Sequence, residues 1–324
     1  MPSTITHAYF AKDVYKSLKN KDKILDKSYI NRLTMFGQSS DPLMFYNVES
    51  IFKGKKIREF HSYFHTHDSR KYFINLCNII KDNNLYNDKD VMSFLYGFIC
   101  HYVLDSNVHP FVIYKTGYFD KKNKDTYKYN VLHEYMETYI DNIFVRDREH
   151  INPYTYSLDN IFDNTKFSDN LCYVINKSFK DTFNINNMSK IYYKAINQML
   201  RFTRRYRKDK YGIKKKAYSL IDKVTDKKTF KFKVLSYHTK ISDDEYFLNT
   251  NNKIWYNPMD NKISSHKSFY ELYDTSIKEA VKIISEVNKY FNNEKIDLNK
   301  VFTNKNYLSG LDCSIPLDFK YFSF

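Results

Sequence analysis

Histidines and carboxylates recur in this sequence at spacings that suit metal ions. In the stretch Cys100-His101-Tyr102-Val103-Leu104-Asp105-Ser106-Asn107-Val108-His109-Pro110, the residues His101, Asp105 and His109 follow at intervals of four. On a helix that interval aligns all three along one face. A second pair, His133 and Glu137, is again four apart. Neutral imidazoles and carboxylates are the ligands a zinc ion takes. A salt-bridged His-Asp pair is the competing explanation, because either group buried alone in so apolar a stretch is costly. The second histidine one turn on, and the separate His-Glu pair, favour a multi-metal site.

Other residues extend the set. His61, His65 and His67 fall within one helical pattern; the first two share a face, and spacing alone does not choose among the three. His7 sits in the first turn of a helix that Thr6 is expected to cap, a position suited to a ligand at the lip of a site. Asp41 precedes Pro42 and reads equally as an N-cap before a first-turn proline or as a ligand.

Long helices must position these groups. Only six glycines and six prolines punctuate 324 residues, whereas sheet-rich chains need more turn residues. Periodicity predicts helices over about 6–19, 60–80, 88–108, 130–145, 171–183, 188–207, 214–224 and 268–291. The helix carrying His101 is expected to end near Val108, since residues before Pro110 are pushed from helical geometry. A polar, Lys-rich loop over 116–129 joins the two ligand helices. Trp255 reads as a buried anchor in a structured loop, or as a wall facing substrate.

Composition bounds the function. Hydrophobic residues at 42% and aromatics at 18% describe a globular chain rather than a disordered one. The net charge of +15 suits anionic partners such as phosphates or an anionic membrane surface. Abundant Lys, Asn, Ile and Tyr also explain much of it as compositional bias. The densest basic run, Arg201 to Lys216, lacks any nucleic-acid motif and reads as a solvated helix end, so nucleic acid is the less favoured partner. Four cysteines without a CxxC spacing suggest neither a disulfide framework nor a thiolate site. The N-terminal residues lack a signal-peptide pattern and the apolar stretch 91–104 is too short to span a bilayer, so a cytoplasmic location is expected.

The ordered set of Thr6-His7, Asp41-Pro42, His65, His101 with Asp105, His109, and His133 with Glu137 resembles the zinc-dependent phospholipase C family. These are the bacterial phosphatidylcholine-hydrolysing and alpha-toxin type enzymes, distantly similar to fungal-type zinc nucleases. The resemblance covers residues 1–145 through motifs and reaches the Trp255 segment more weakly, in the manner of leaderless members. It implies an all-α fold, here residues 1–292 with a C-terminal arm over 293–324, around up to three zinc ions. His65, His101 and Asp105 would hold one zinc, with Asp41 as a further ligand or as the catalytic base. Asp105 would bridge to a second zinc that also takes His7. His109, His133 and Glu137 would hold the third. The implied activity is phosphoric-ester hydrolysis, a metal-bound hydroxide attacking a phospholipid or another phosphodiester. The alternatives are a nuclease-like phosphodiesterase and a non-catalytic, metal-stabilised binding protein whose loops close the site. Two features depart from the secreted enzymes. Asp105 and His109 are closer in sequence, and no mature N-terminal tryptophan is available, so the Pro2 amine is expected to replace its amine as a ligand.

Overall fold

The computed structural model describes residues 4–50, 53–225, 231–239 and 244–324. The Pro2 amine lies outside them. In chain order the helices are α1 (Thr4–Ser17), α2 (Ile30–Phe36), α3 (Lys55–Thr66), α4 (Arg70–Asp82), α5 (Lys89–Thr116), α6 (Tyr127–Glu149), α7 (Asp169–Phe183), α8 (Met188–Phe202), α9 (Ile213–Thr225), α10 (Asp244–Leu248), α11 (Phe269–Phe291) and α12 (Leu298–Val301). Two short strands, β1 (Trp255–Tyr256) and β2 (Ser264–Ser265), pair antiparallel. The fold is all-α.

The fold is organised on α5. Its residues are buried on every side, and a helix that is apolar all round must be enclosed by others. α1, α2, α6, α7 and α11 enclose it. Asp88 caps its start, accepting from the amides of Asp90 (3.0 Å) and Val91 (3.1 Å), a contribution of about 1 kcal/mol. Contrary to the sequence expectation, α5 does not stop at Val108 but runs through Pro110 to Thr116. Proline removes the amide that would bond the Ser106 carbonyl. Gly310, from the C-terminal segment, packs on that carbonyl, and a Cβ there would approach it to 2.6 Å. Burial of Phe111, Val112 and Ile113 carries the helix past the proline.

Other expectations are corrected similarly. The single helix over 60–80 is two, α3 and α4, because His67 turns extended (φ −122°, ψ 164°) and Asp68 accepts from the Arg70 amide at 2.8 Å. Thr6 is not a cap but an interior residue of α1. The cap comes from Asp141 on α6, which accepts from Ile5 N (3.2 Å), Thr6 N (2.8 Å) and Thr6 Oγ1 (2.9 Å). Asp41 opens a short 3-10 turn with Pro42, and its carboxylate caps nothing there. The α-helix expected to reach residue 207 ends at Phe202 and finishes as a π turn over Thr203–Arg207.

The remaining pieces are anchored by polar contacts. Arg32 of α2 binds Asp90 of α5 through Nε (2.6 Å) and Nη2 (3.1 Å), and the pair is buried. Trp255 is an anchor: its indole donates to the Lys267 carbonyl at 3.0 Å and its ring meets Phe111 edge-on. Ser268 and Glu271 form a capping box at the start of α11. After residue 293 the chain returns over α5, where the Tyr102 hydroxyl donates to the Thr303 carbonyl at 2.6 Å. The cysteines are free.

Candidate metal centre

Five structural elements deliver side chains to one place. α5 supplies His101, Asp105 and His109 from successive turns. α1 supplies His7, the 3-10 turn supplies Asp41, α3 supplies His65 and α6 supplies His133 with Glu137. Three sets of ligand atoms converge: His7, His101 and Asp105; Asp41, His65 and His101; His109, His133 and Glu137, each within 4.8 Å of one another. All eight residues singled out in the sequence are thus brought together. Seven are buried and His133 is partly exposed.

Asp105 is the hub. Its Oδ1 lies 3.1 Å from His7 Nε2, and its Oδ2 lies 3.0 Å from both His65 Nε2 and His101 Nε2. Oδ2 is also 3.6 Å from His109 Nδ1. Asp41 Oδ1 stands 3.6 Å from His65 Nε2 and 3.7 Å from His101 Nε2. In the third set, Glu137 Oε1 is 3.0 Å from His133 Nε2 and 3.6 Å from His109 Nε2.

Backbone carbonyls orient the rings. His65 Nδ1 lies 2.8 Å from the His61 carbonyl, His101 Nδ1 3.1 Å from that of Gly37, and His109 Nδ1 3.1 Å from that of Tyr307. A carbonyl only accepts, so Nδ1 carries the hydrogen in each ring and Nε2 faces the carboxylates. A bare Nε2 lone pair beside a carboxylate oxygen is repulsive, so positive charge must lie between them, either protons or a metal ion. His101 Nε2 and Asp105 Oδ2 lack hydrogen-bond alignment despite their 3.0 Å separation, and both oxygens of buried Asp41 also lack a hydrogen bond. Donors that converge without bonding one another fit a shared cation, and the His and carboxylate set fits zinc.

The arrangement of α2 matters here. A Cβ at Gly97 would lie 2.5 Å from the Phe36 carbonyl carbon, so glycine is needed for α2 to cross α5 this closely. That approach brings the Gly37 carbonyl to His101. The sequence reading did not single out Gly37, Gly97 or Tyr307. The buried Tyr307 ring packs 5.3 Å from His65 and 6.1 Å from His101, centroid to centroid. No periodicity marks that tail residue as part of the site. His61, left open in the sequence, puts Nδ1 3.0 Å from Asp41 Oδ1 and lines the cleft described below. His67 stacks on Tyr63 away from the three sets.

Electrostatics before an ion binds follow from this crowding. Burial alone would raise the carboxyl pKa of Asp41, but His101, His61 and His65 hold it below the usual range. Asp105 is held well below that range against burial by His109, His101 and His7. Burial disfavours charge on His109, yet Asp105 and Glu137 push its pKa up to about 9. His61 moves oppositely, down to about 4, through desolvation and the neighbouring His65.

Two voids meet the centre. A cleft of about 410 Å³ is lined in part by His61, His65, His109, His133 and Glu137. Its walls include Ile113, Tyr118, Phe119, Leu308, Lys121 and Lys122. A cavity of about 20 Å³ lies against His7, Asp105, His109 and Glu137, room for one small species. Among the described residues no helix is long and apolar enough to cross a membrane.

The sequence pattern of the family described as zinc dependent phospholipase C matches residues 6–201, a span that holds all eight residues. No curated protein and no solved structure matches the chain.

Proposed function

We propose, for a chain that belongs to the zinc-dependent phospholipase C family, that it hydrolyses phosphoric diesters, with phospholipids as the substrate class. The observation that carries this reading is that His65, His109, His133 and Glu137, members of two of the ligand sets, line an open cleft. A protein that kept metals only for stability would have no need of that opening.

The residues divide by task. Asp41, His65, His101 and Asp105 would hold one zinc, His7 with Asp105 a second, and His109, His133 and Glu137 a third. Zinc, when bound, supplies Lewis acidity, which lowers the pKa of water towards about 7 and neutralises phosphate charge. As the alternative to ligating the first zinc, Asp41 Oδ1 would take a proton from the attacking water, with His61 Nδ1 3.0 Å away on the cleft side. Ile113, Tyr118, Phe119 and Leu308 offer an apolar wall to the lipid portion and exclude water from it. Lys121 and Lys122 at the rim attract the phosphate.

The test is elemental analysis of untagged protein purified without chelator, beside His101→Ala and His133→Ala, followed by assays on phospholipid vesicles, small phosphodiesters and DNA. Zinc near three per chain, lost in part by each variant, with release of a phosphorylated headgroup, supports the proposal. Absence of zinc and of zinc uptake refutes it. Turnover of DNA with no action on lipid would replace it with the nuclease-like reading.

A further inference from the structure

α9 is built inside out. A surface helix ordinarily buries its apolar stripe and exposes its polar one. Here Ile213, Ala217, Leu220 and Val224 recur at helical spacing and all are exposed, with Ile213 at 67%, Leu220 at 64% and Val224 at 85% of their full surface. Ile221 beside them is 40% exposed, and Tyr211, just before the helix, is 72% exposed. The buried residue of the helix is Asp222, on the opposite side.

The inward side is held by polar contacts. Asp222 accepts from the amides of Phe232 (2.6 Å) and Lys233 (3.0 Å), and the Tyr218 hydroxyl donates to the Tyr206 carbonyl at 3.1 Å. Asp209 secures the first turn, accepting from the amides of Lys214 and Lys215. These bonds fix the rotation of the helix, so the outward apolar stripe is not a register that local motion would correct. Exposed Lys216 and Lys223 border the stripe on one side, and exposed Lys208 and Lys210 stand just before it.

We propose that the outward face of α9 is a docking surface for an anionic lipid bilayer, on which the helix lies parallel to the membrane plane. An apolar stripe bordered by lysines is the composition that partitions into the headgroup boundary, where lysines meet anionic lipid. Charge decides against a second copy of this chain as the occupant. A symmetric pairing of this face would bring Lys216 and Lys223 against one another in a protein of net charge +15, with no exposed carboxylate among the described residues of α9 to answer them. The inference concerns binding and does not depend on the metal centre.

The experiment is co-sedimentation of the full chain with vesicles of phosphatidylcholine alone or of phosphatidylcholine mixed with phosphatidylglycerol. It compares wild type, an Ile213→Ser/Leu220→Ser/Val224→Ser variant and a Lys216→Glu/Lys223→Glu variant. Circular dichroism establishes that each is folded; the substituted side chains are solvent-facing, so native spectra are expected. The wild type is expected to bind the anionic vesicles and lose affinity as salt rises. Each variant should bind at least about tenfold more weakly, the charge variant with a flatter salt dependence. The proposal is overturned if wild type ignores anionic vesicles at low salt, or if both folded variants bind as well as wild type. It is also overturned if sedimentation velocity shows a dimer that the serine variant abolishes, which would give the face to a second copy. Since binding is read without turnover, chelator leaves the test intact, and failure of the hydrolase reading would leave vesicle binding unchanged.

Discussion

Replacing Asp105 by Asn tests the centre most directly, because this carboxylate faces both His7 and the His65–His101 pair. Asn keeps the volume but removes the charge and turns one oxygen into a donor aimed at imidazole nitrogens. The two zinc sites that use Asp105 should fail, while the His109–His133–Glu137 set keeps all its own ligands. The thermal consequence can be estimated. A ligand at 1,000 times its dissociation constant stabilises the fold by about 4 kcal/mol. For 324 residues the unfolding entropy is about 0.7 kcal/mol/K, so each ion is worth about 6 °C in Tm. Chelator should therefore lower the wild-type Tm by roughly 18 °C if three ions bind, but that of Asp105→Asn by only about 6 °C. The assay is differential scanning calorimetry with and without chelator, paired with zinc analysis of the same samples. An equal chelator shift in both proteins would refute the assignment of Asp105 as the shared ligand. A wild type whose Tm ignores chelator would refute the metal centre itself.

Other perturbations should separate the parts of the site. His133→Ala touches one set only and should reduce zinc content by one ion per chain, read by elemental analysis, leaving the Asp105 sites filled. Gly97→Ala should cost about 3 kcal/mol by overpacking and weaken zinc binding as well, since its Cβ would strike Phe36 and push the Gly37 carbonyl from His101; an unchanged denaturation midpoint and zinc affinity would show that the close crossing is dispensable. Zinc uptake at pH 7 should expel a proton from His109, whose pKa is up to about 9, and calorimetry in buffers of different ionisation heat should show that release fading above pH 9. In the metal-free chain the same charged His109 stabilises the fold fully below its ordinary 6.5, and that stabilisation is lost as pH rises through about 9, so metal-free Tm should fall across this window and do so less in His109→Gln.

How far the sequence could be read depended on whether a feature was local. Helices were legible because α5, α6 and α11 carry long periodic runs with few glycines and prolines. The ligand candidates were legible because His101, Asp105 and His109, and His133 with Glu137, need only one helix each to align. What sequence could not carry were relations between distant segments. Pro110 locally argues for a helix end, yet the packing of Phe111 to Ile113 and the fit of Gly310 on the Ser106 carbonyl outweigh it. Asp141 displaces Thr6 as the cap of α1 although 135 residues separate them.

The orientation of the imidazoles is the clearest case of this limit. A histidine in sequence has two ring nitrogens and no stated direction. Three of those at the centre are given a direction by carbonyls of His61, Gly37 and Tyr307, and carbonyls leave no residue signature. Two of these three come from elements other than the one that bears the ring. The Gly37 carbonyl depends on a glycine at position 97, and the Tyr307 carbonyl on a tail that doubles back over α5. The ligand set can therefore be spelled out by residue types, whereas its competence is decided by main-chain atoms that only the fold brings within 3.1 Å. It follows that substitutions at positions that ligate nothing, at Gly97 or in the segment around Tyr307, should alter metal affinity while every candidate ligand residue is kept.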